Sequence, residues 1–376
     1  MKFSIALFAM LAIYSVSAQK NPYLLVGTYT SGKSEGIYVY SFNTANAGNH
    51  LISIVKTSNP SYLAVSPNKK FVYAVNEDAD TTGDEIGGHV SSFSFDAANG
   101  KLTKINKQFS GGKNPCYVAV DKTGRWALAG NYSSGNLAVL GINKNGSLKP
   151  LSQLIQHSGT GPNTDRQEGP HVHSTVLSKD NNYLFVPDLG IDKVMIYHFN
   201  KLNGKLSAAN PPFAPVTEGA GPRHFEFHPN NQYAYLMQEL TGMVAVFTYK
   251  NGRLNPIQEI SAIPTNFTGA IGSADIHVSA DGKFLYCSNR GESNTITIFS
   301  VHPATGKLSV AGYQSTLGKT PRNFNFDPTG NFLLVANQNS DDVVIFKINK
   351  KTGLLTDTGK RINVPNPVCV KWIVRD

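Results

Sequence analysis

Apolar and polar positions alternate along most of this chain in short runs, and the runs recur. Six stretches align without gaps: AVSPNKKFVYAVNE (64–77), AVDKTGRWALAGNY (119–132), VLSKDNNYLFVPDL (176–189), EFHPNNQYAYLMQE (226–239), HVSADGKFLYCSNR (277–290) and NFDPTGNFLLVANQ (325–338). Each joins the apolar end of one strand, a polar turn such as Asp327-Pro328-Thr329-Gly330, and a second apolar strand ending near Asn or Asp. Successive units begin 55, 57, 50, 51 and 48 residues apart. A period of about fifty with several β-runs per repeat predicts a propeller rather than a helical solenoid. Beyond the cores come a third apolar run (NLAVLGI, KVMIYHF, MVAVFTY, TITIFSV, DVVIFKI), a Gly turn and a fourth run, so each blade is expected to hold four antiparallel strands.

One blade is split between the chain ends. Asn366-Pro367-Val368-Cys369-Val370 resembles Asn59-Pro60-Ser61-Tyr62-Leu63 and Asn114-Pro115-Cys116-Tyr117-Val118, which open blades. YLLVGTY (23–29) resembles a second strand that lacks its first. The pattern therefore predicts an all-β fold: a seven-bladed β-propeller of four-stranded antiparallel blades, its ring closed by the C-terminal strand pairing into the N-terminal blade. Closure of this kind ties both chain ends into one blade and leaves only short, protected sheet edges.

Composition agrees, since 34 Gly and 20 Pro with only 16% charged residues suit short strands and tight turns. At the N-terminus, Lys2, an apolar run from Phe3 to Tyr14 and the small residues Ser15-Val16-Ser17-Ala18 read as a cleaved signal peptide over 1–18. That run falls short of the roughly twenty residues that cross a bilayer. Residues 19–376 are expected to be exported as a single propeller domain, periplasmic or secreted, with no membrane span. Cys116, Cys287 and Cys369 are odd in number and far apart, which gives neither a disulfide framework nor a metal-spaced pair. The net charge is +9, but no Lys/Arg run is interleaved with aromatics, so nucleic acid is not expected as a partner. A mildly basic surface suits a small anionic substrate. A closed propeller buries its core unaided, and a monomer is expected.

In a propeller the innermost strands line a central channel, and the repeat indexes the side chains at its mouth. At the entry of the first strand, one residue past the usual Pro, stand Ser61, Cys116, His173, Arg223, Ala274, Arg322 and Val368. At the end of the second strand stand Tyr29, Glu77, Tyr132, Leu189, Glu239, Arg290 and Gln338. His173, Arg223, Glu239 and Arg290 fall in the third, fourth and fifth of the six aligned units, which are neighbours. Guanidinium groups gathered at one mouth repel unless an anion or carboxylates balance them, and their planar fork fits carboxylate and phosphate. Glu and His beside them supply acid–base chemistry. These four are the candidate catalytic residues, with Arg322, His171, Tyr132 and Glu77 as candidate substrate-binding residues. The PHVHS motif (170–174) offers two histidines, but only His173 occupies a mouth position and no third ligand follows by spacing, so neither a metal nor another cofactor is expected. His224 and His228 read as structural or turn residues. No GxSxG elbow or phosphate-cradling loop is present.

The stretches VTEGAGPRHFEFHPNNQYAYLMQEL (216–240), SADIHVSADGKFLYCSNR (273–290) and TPRNFNFDPTGNFLLVANQNSD (320–341) resemble the seven-bladed lactonase family, the propeller type of 6-phosphogluconolactonase. The resemblance runs over essentially the whole chain beyond residue 18. It implies a metal-independent hydrolase of sugar-derived lactones. The family includes the fungal carboxy-cis,cis-muconate cyclase, whose site of one His, two Arg and one Glu is matched here by His173, Arg223, Glu239 and Arg290. Two departures stand out. A signal peptide separates the protein from a cytosolic phosphorylated lactone, which makes an unphosphorylated sugar lactone an equal candidate. Gln238 stands before Glu239 where the family usually has Asn.

On that resemblance Arg223 and Arg290 would bind the anionic group or the developing oxyanion. Glu239 would activate water and His173 protonate the leaving ring oxygen, roles the sequence leaves interchangeable. Two other readings stand beside it: a propeller that only binds or scaffolds, and a cyclase-like isomerase that closes a lactone.

Overall fold

The computed structural model describes residues 21–80 and 87–375; the proposed signal peptide lies outside them. Among the described residues, twenty-eight strands form seven four-stranded antiparallel sheets arranged as a ring. The first blade joins β1 (Tyr23–Thr28), β2 (Gly36–Phe42) and β3 (Asn49–Lys56) to the last strand of the chain, β28 (Pro367–Ile373), which pairs antiparallel with β1. Blade 2 runs from β4 (Leu63–Val65) to β7 (Lys101–Phe109), and blade 3 from β8 (Pro115–Val120) to β11 (Leu148–Gln156). Blade 4 begins at β12 (Val176–Leu177), blade 5 at β16 (Pro222–Phe227), blade 6 at β20 (Ser273–Val278) and blade 7 at β24 (Pro321–Phe326). The predicted seven-bladed ring and its closure by the C-terminal strand are both present.

The polar turn of the repeat is built the same way in five of the six units, His228 being the exception. Its third residue bends back and accepts backbone N–H groups across the turn: Asp327 Oδ1 takes those of Asn331 and Phe332, both at 2.7 Å, and Asp121 Oδ1 those of Arg125 and Trp126 at 2.8 and 2.9 Å. Ser66 and Ser178 do the same through their hydroxyls, each at 2.9 Å. The sixth residue of the unit adopts a left-handed backbone throughout, with Gly, Asn or, once, Lys69 there. Short polar side chains and left-handed residues are what tight turns require, which is why this part of the repeat stays legible despite its varied sequence.

Neighbouring blades are joined by apolar contacts between sheet faces and by one recurring lock. In six blades the turn between the third and fourth strands holds a left-handed Gly whose missing Cβ makes room for an aromatic ring at the start of the preceding blade's second strand, whereas blade 1 has Ala47 (φ 57°) there. At Gly204 (φ 74°) a Cβ would fall 2.3 Å from a ring carbon of Trp126. Phe71 covers Gly146, Tyr183 covers Gly252 and Tyr233 covers Gly306 in the same manner. A tyrosine two residues further on often adds a hydrogen bond, as in Tyr235 Oη to the Gly306 carbonyl (3.0 Å) and Tyr286 Oη to that of Gly353 (2.7 Å).

This predicts unequal costs for two similar substitutions. Gly330 also has a positive φ (65°), yet nothing lies within 4 Å of where its Cβ would be. Gly330→Ala is expected to cost about 1 kcal/mol from backbone conformation alone. Gly204→Ala adds the collision with Trp126 and is expected to cost about 2–3 kcal/mol. Thermal melts of the two variants check the order, and equal losses would mean that the ring-on-glycine contact contributes nothing.

Candidate functional site

The mouth residues owe their placement to β-bulges. Opposite the second strand, pairing skips from Pro115 to Tyr117, Pro222 to His224, Pro321 to Asn323 and Pro367 to Cys369. Cys116, Arg223, Arg322 and Val368 are the extra residues. A bulge disrupts the ladder and re-aims the side chain it carries. Blade 4 departs further: its inner strand is reduced to Val176–Leu177, and His173 is held by its own backbone N–H to the Pro187 carbonyl at 3.1 Å.

A cavity of about 190 Å³ opens at this mouth. Six of the eight candidate residues line it: Glu77, Tyr132, His173, Glu239, Arg290 and Arg322. Tyr29 and Cys116 come from the same two rings, and Arg166 completes the lining. Arg223 is fully buried and backs onto the cavity through Glu239. His171 stands outside it. Its ring stacks on Tyr132 at 4.5 Å, and its nitrogens engage the Tyr132 carbonyl (3.0 Å) and Glu168 (3.2 Å), so its place is that of a support behind Tyr132. Among the described residues no three His, Cys, Asp or Glu side chains gather as a metal set would.

Glu239 is the centre of the arrangement. Its Oε2 accepts from Arg223 Nε at 2.8 Å and lies 2.9 Å from an Arg290 terminal nitrogen, while Oε1 accepts from Arg166 at 2.7 Å. Burial alone would raise this carboxyl, but Arg290, Arg223 and Arg166 together hold it well below the usual carboxylate range. Arg223 is fixed by a 2.6 Å bond to the Ala274 carbonyl, and Arg290 by the Gly272 carbonyl at 2.9 Å. Burial brings the Arg290 guanidinium down to about 10 against the pull of Glu239, so it stays charged at neutral pH. Across the mouth, Tyr29 Oη donates to Glu77 at 2.9 Å, and Arg322 lies 3.7 Å from Glu77 and over the Tyr29 ring.

His173 departs from the expectation of a group poised near neutrality. It is buried with Arg223 and His224 beside it, and burial first, then those cations and rings, pushes it well below its ordinary 6.5 despite Glu239. The imidazole is therefore neutral at physiological pH. Its Nε2 faces Glu239 Oε2 at 3.9 Å, and its Nδ1 lies 3.8 Å from Cys116 Sγ.

Below the mouth the channel is filled. His224, edge-on to His173 with ring centres 5.3 Å apart, bonds Asp275 at 2.6 Å, and Asp275 also bonds His277 at 3.1 Å and Asn323. Burial opposes the charges here, but Asp275 raises His277 to about 10, and the two histidines keep Asp275 well below its ordinary value. His224 remains neutral, brought down to about 4 by burial and Arg223. His224 thus packs behind His173 and does not line the cavity.

Arg166 was not among the sequence candidates, because it lies in the segment 157–169 that the repeat does not cover. One signal was available: the interval of 57 residues between the second and third units is the longest, and the surplus falls at this mouth.

The family model described as "Lactonase, 7-bladed beta-propeller" matches residues 23–372. The chain is 39% identical to a 6-phosphogluconolactonase of Bacillus subtilis over 93% of this chain and 97% of that one. It is 38% identical to a 6-phosphogluconolactonase of Formosa agariphila over 88% and 94% of the two chains. The solved structure of the periplasmic gluconolactonase of Pseudomonas aeruginosa superposes with a TM-score of 0.89 at 39% identity, covering 94% of this chain and 99% of that one.

The Asp275–His277 pair beneath the site gives a stability prediction with a defined pH window. Asp275 is lowered, so its contribution is present above about 3.8 and lost as pH falls. His277 is raised, so its contribution is full below 6.5 and fades as pH rises through about 10. Asp275→Asn is expected to cost about 3–5 kcal/mol near pH 5–6. Denaturant unfolding at pH 5.5, 7.5 and 10 should show the gap to wild type narrowing upward; a gap independent of pH would refute the ionic pairing.

Proposed function

The chain belongs to the seven-bladed β-propeller lactonase family, and from that premise we propose that its mouth cavity hydrolyses a sugar-derived lactone with His173 as general base. The observation that carries this reading is a neutral imidazole facing an ionised Glu239 across 3.9 Å, with cationic groups around both. A cavity of about 190 Å³ holds roughly six waters' worth of volume, the scale of a single sugar ring.

In this mechanism a water sits between His173 Nε2 and the lactone carbonyl carbon. His173 takes the water's proton as its oxygen bonds to that carbon, and the carbonyl electrons move onto oxygen. Arg290 lines the cavity with its charge fixed by backbone carbonyls, so it meets the oxyanion without reorganising. Collapse of the intermediate breaks the ring C–O bond, and the His173 Nε2 proton passes to the departing ring oxygen. The product is the open hydroxy acid. Glu239 is too weak a base, with three guanidinium partners, to take the proton itself; its charge stabilises the imidazolium formed midway. Arg223 anchors Glu239. Tyr132 and Arg322 form the walls against which the ring lies.

We also propose that the protein acts outside the cytoplasm, a reading supported by the signal-like first eighteen residues and by the periplasmic relative. N-terminal sequencing of the protein from a periplasmic extract should find Gln19 first; an intact Met1 there would overturn the cleavage.

The reaction is tested by acid release from glucono-δ-lactone and its 6-phosphate in a pH-indicator assay. His173→Asn is expected to lower kcat by about 10²–10⁴-fold with little change in KM. Because the neutral base is the working form and burial lowers its pKa, kcat/KM should hold its plateau below pH 6.5 and fall only at more acid pH. A rate that instead falls as pH rises through neutrality would assign His173 the acid's role and reverse the mechanism.

A further inference from the structure

The four guanidinium groups at the mouth are not held alike. Arg223 and Arg290 are tied to backbone carbonyls. Arg322 is buried against Tyr29 and Glu77. Arg166 is held only by side chains, through one terminal nitrogen shared between Glu239 Oε1 (2.7 Å) and Tyr132 Oη (3.2 Å), and its side chain is 41% exposed. It is therefore the most exposed of the four cations, and unlike Arg223 and Arg290 it can turn without giving up a backbone carbonyl.

Its backbone, by contrast, is built in. The next residue, Gln167, is completely buried, donating to the Leu189 carbonyl and to Asp192, each at 2.8 Å, while its own Oε1 accepts from the Asn163 backbone at 3.1 Å. The loop thus delivers Arg166 to a fixed point at the rim with a free-swinging end, unlike a surface arginine whose position is incidental.

The charges around the cavity do not cancel. Arg166, Arg223, Arg290 and Arg322 stand against Glu77 and Glu239, with His173 neutral, which leaves an excess of two positive charges among these residues. A phosphoryl group carries about −1.5 to −2 at neutral pH. Its oxygens fit the planar fork that Arg166 presents once its shared terminal nitrogen leaves Glu239.

We propose that Arg166 selects for a phosphoryl-bearing lactone, turning from Glu239 Oε1 to the phosphoryl group as the substrate enters. Resting on the lactonase reading above, this adds a consequence: the substrate itself uncovers one oxygen of Glu239 and draws the rim arginine over the bound ring. No bond is made or broken in this step; only hydrogen-bond partners are exchanged.

The test uses the stable product acids, so that it does not depend on turnover. By calorimetry the wild type is expected to bind 6-phosphogluconate at least about tenfold more tightly than gluconate, and Arg166→Gln to abolish that preference while gluconate binding stays within about twofold. Arg166→Lys, which keeps the charge but not the fork, should recover part of the preference. On the two lactones, Arg166→Gln should raise KM at least about tenfold more for the phosphorylated one than for the neutral one. Equal weakening of both acids would reduce Arg166 to a support for Glu239, and no phosphoryl preference in the wild type would overturn the proposal outright. Absence of turnover on either lactone, with the phosphoryl preference intact and dependent on Arg166, would instead sink the hydrolytic reading and leave the assignment of Arg166 standing.

Discussion

An aromatic ring lying on a bare glycine backbone sets the distance between neighbouring blades. Trp126 on Gly204 and Phe71 on Gly146 leave no space for even one methyl group, so the separation of adjacent sheets is fixed at the outer turns as well as by the apolar faces between them. The lock recurs at six of the seven steps around the ring, and β28 pairing with β1 ties the two chain ends into one blade. Everything at the channel mouth depends on that regularity, because residues distant in sequence meet there only through the geometry of the ring.

The inner strands carry the second constraint. A continuous antiparallel ladder would send alternate side chains to alternate faces and could not gather Cys116, Arg223 and Arg322 into one layer with the ends of the second strands. The bulge one residue after the proline interrupts that alternation at the same height in several blades. The same local irregularity is used by Val368, which is merely buried, so the bulge is an architectural feature that some blades use for chemistry.

Burying Glu239 among three guanidinium groups is expensive in desolvation, and an apolar cluster of the same size would be at least as stable. What it provides is a fixed charge beside a neutral base. His173 is kept unprotonated by burial and by Arg223, yet its imidazolium, once formed, would meet a carboxylate already in place. The cluster behind the site separates its titratable groups similarly: both histidines bond Asp275, but burial and Arg223 bring His224 down while Asp275 and a second carboxylate, Glu226, raise His277. Environment, more than residue type, decides which group carries the proton.

The sequence alone determined the fold class, the blade count, the split blade and most of the mouth layer. Those features rest on local rules that repeat: Asx-type turns, left-handed residues at one position, and a proline preceding a bulge. The position of Glu239 or Arg290 within its unit was enough to place it at the mouth. Only the tertiary structure decided what the layer does with its charges. Arg166 enters from a segment with no counterpart in the other blades, so no repeat could index it. His171 has the right neighbours in sequence but turns its ring onto Tyr132. The neutrality of His173 comes first from burial that no composition records, and then from Arg223, fifty residues away in the chain and a blade away in space. Local periodicity specifies where a side chain is placed, whereas its protonation and partners are set by groups that only the closed ring brings near.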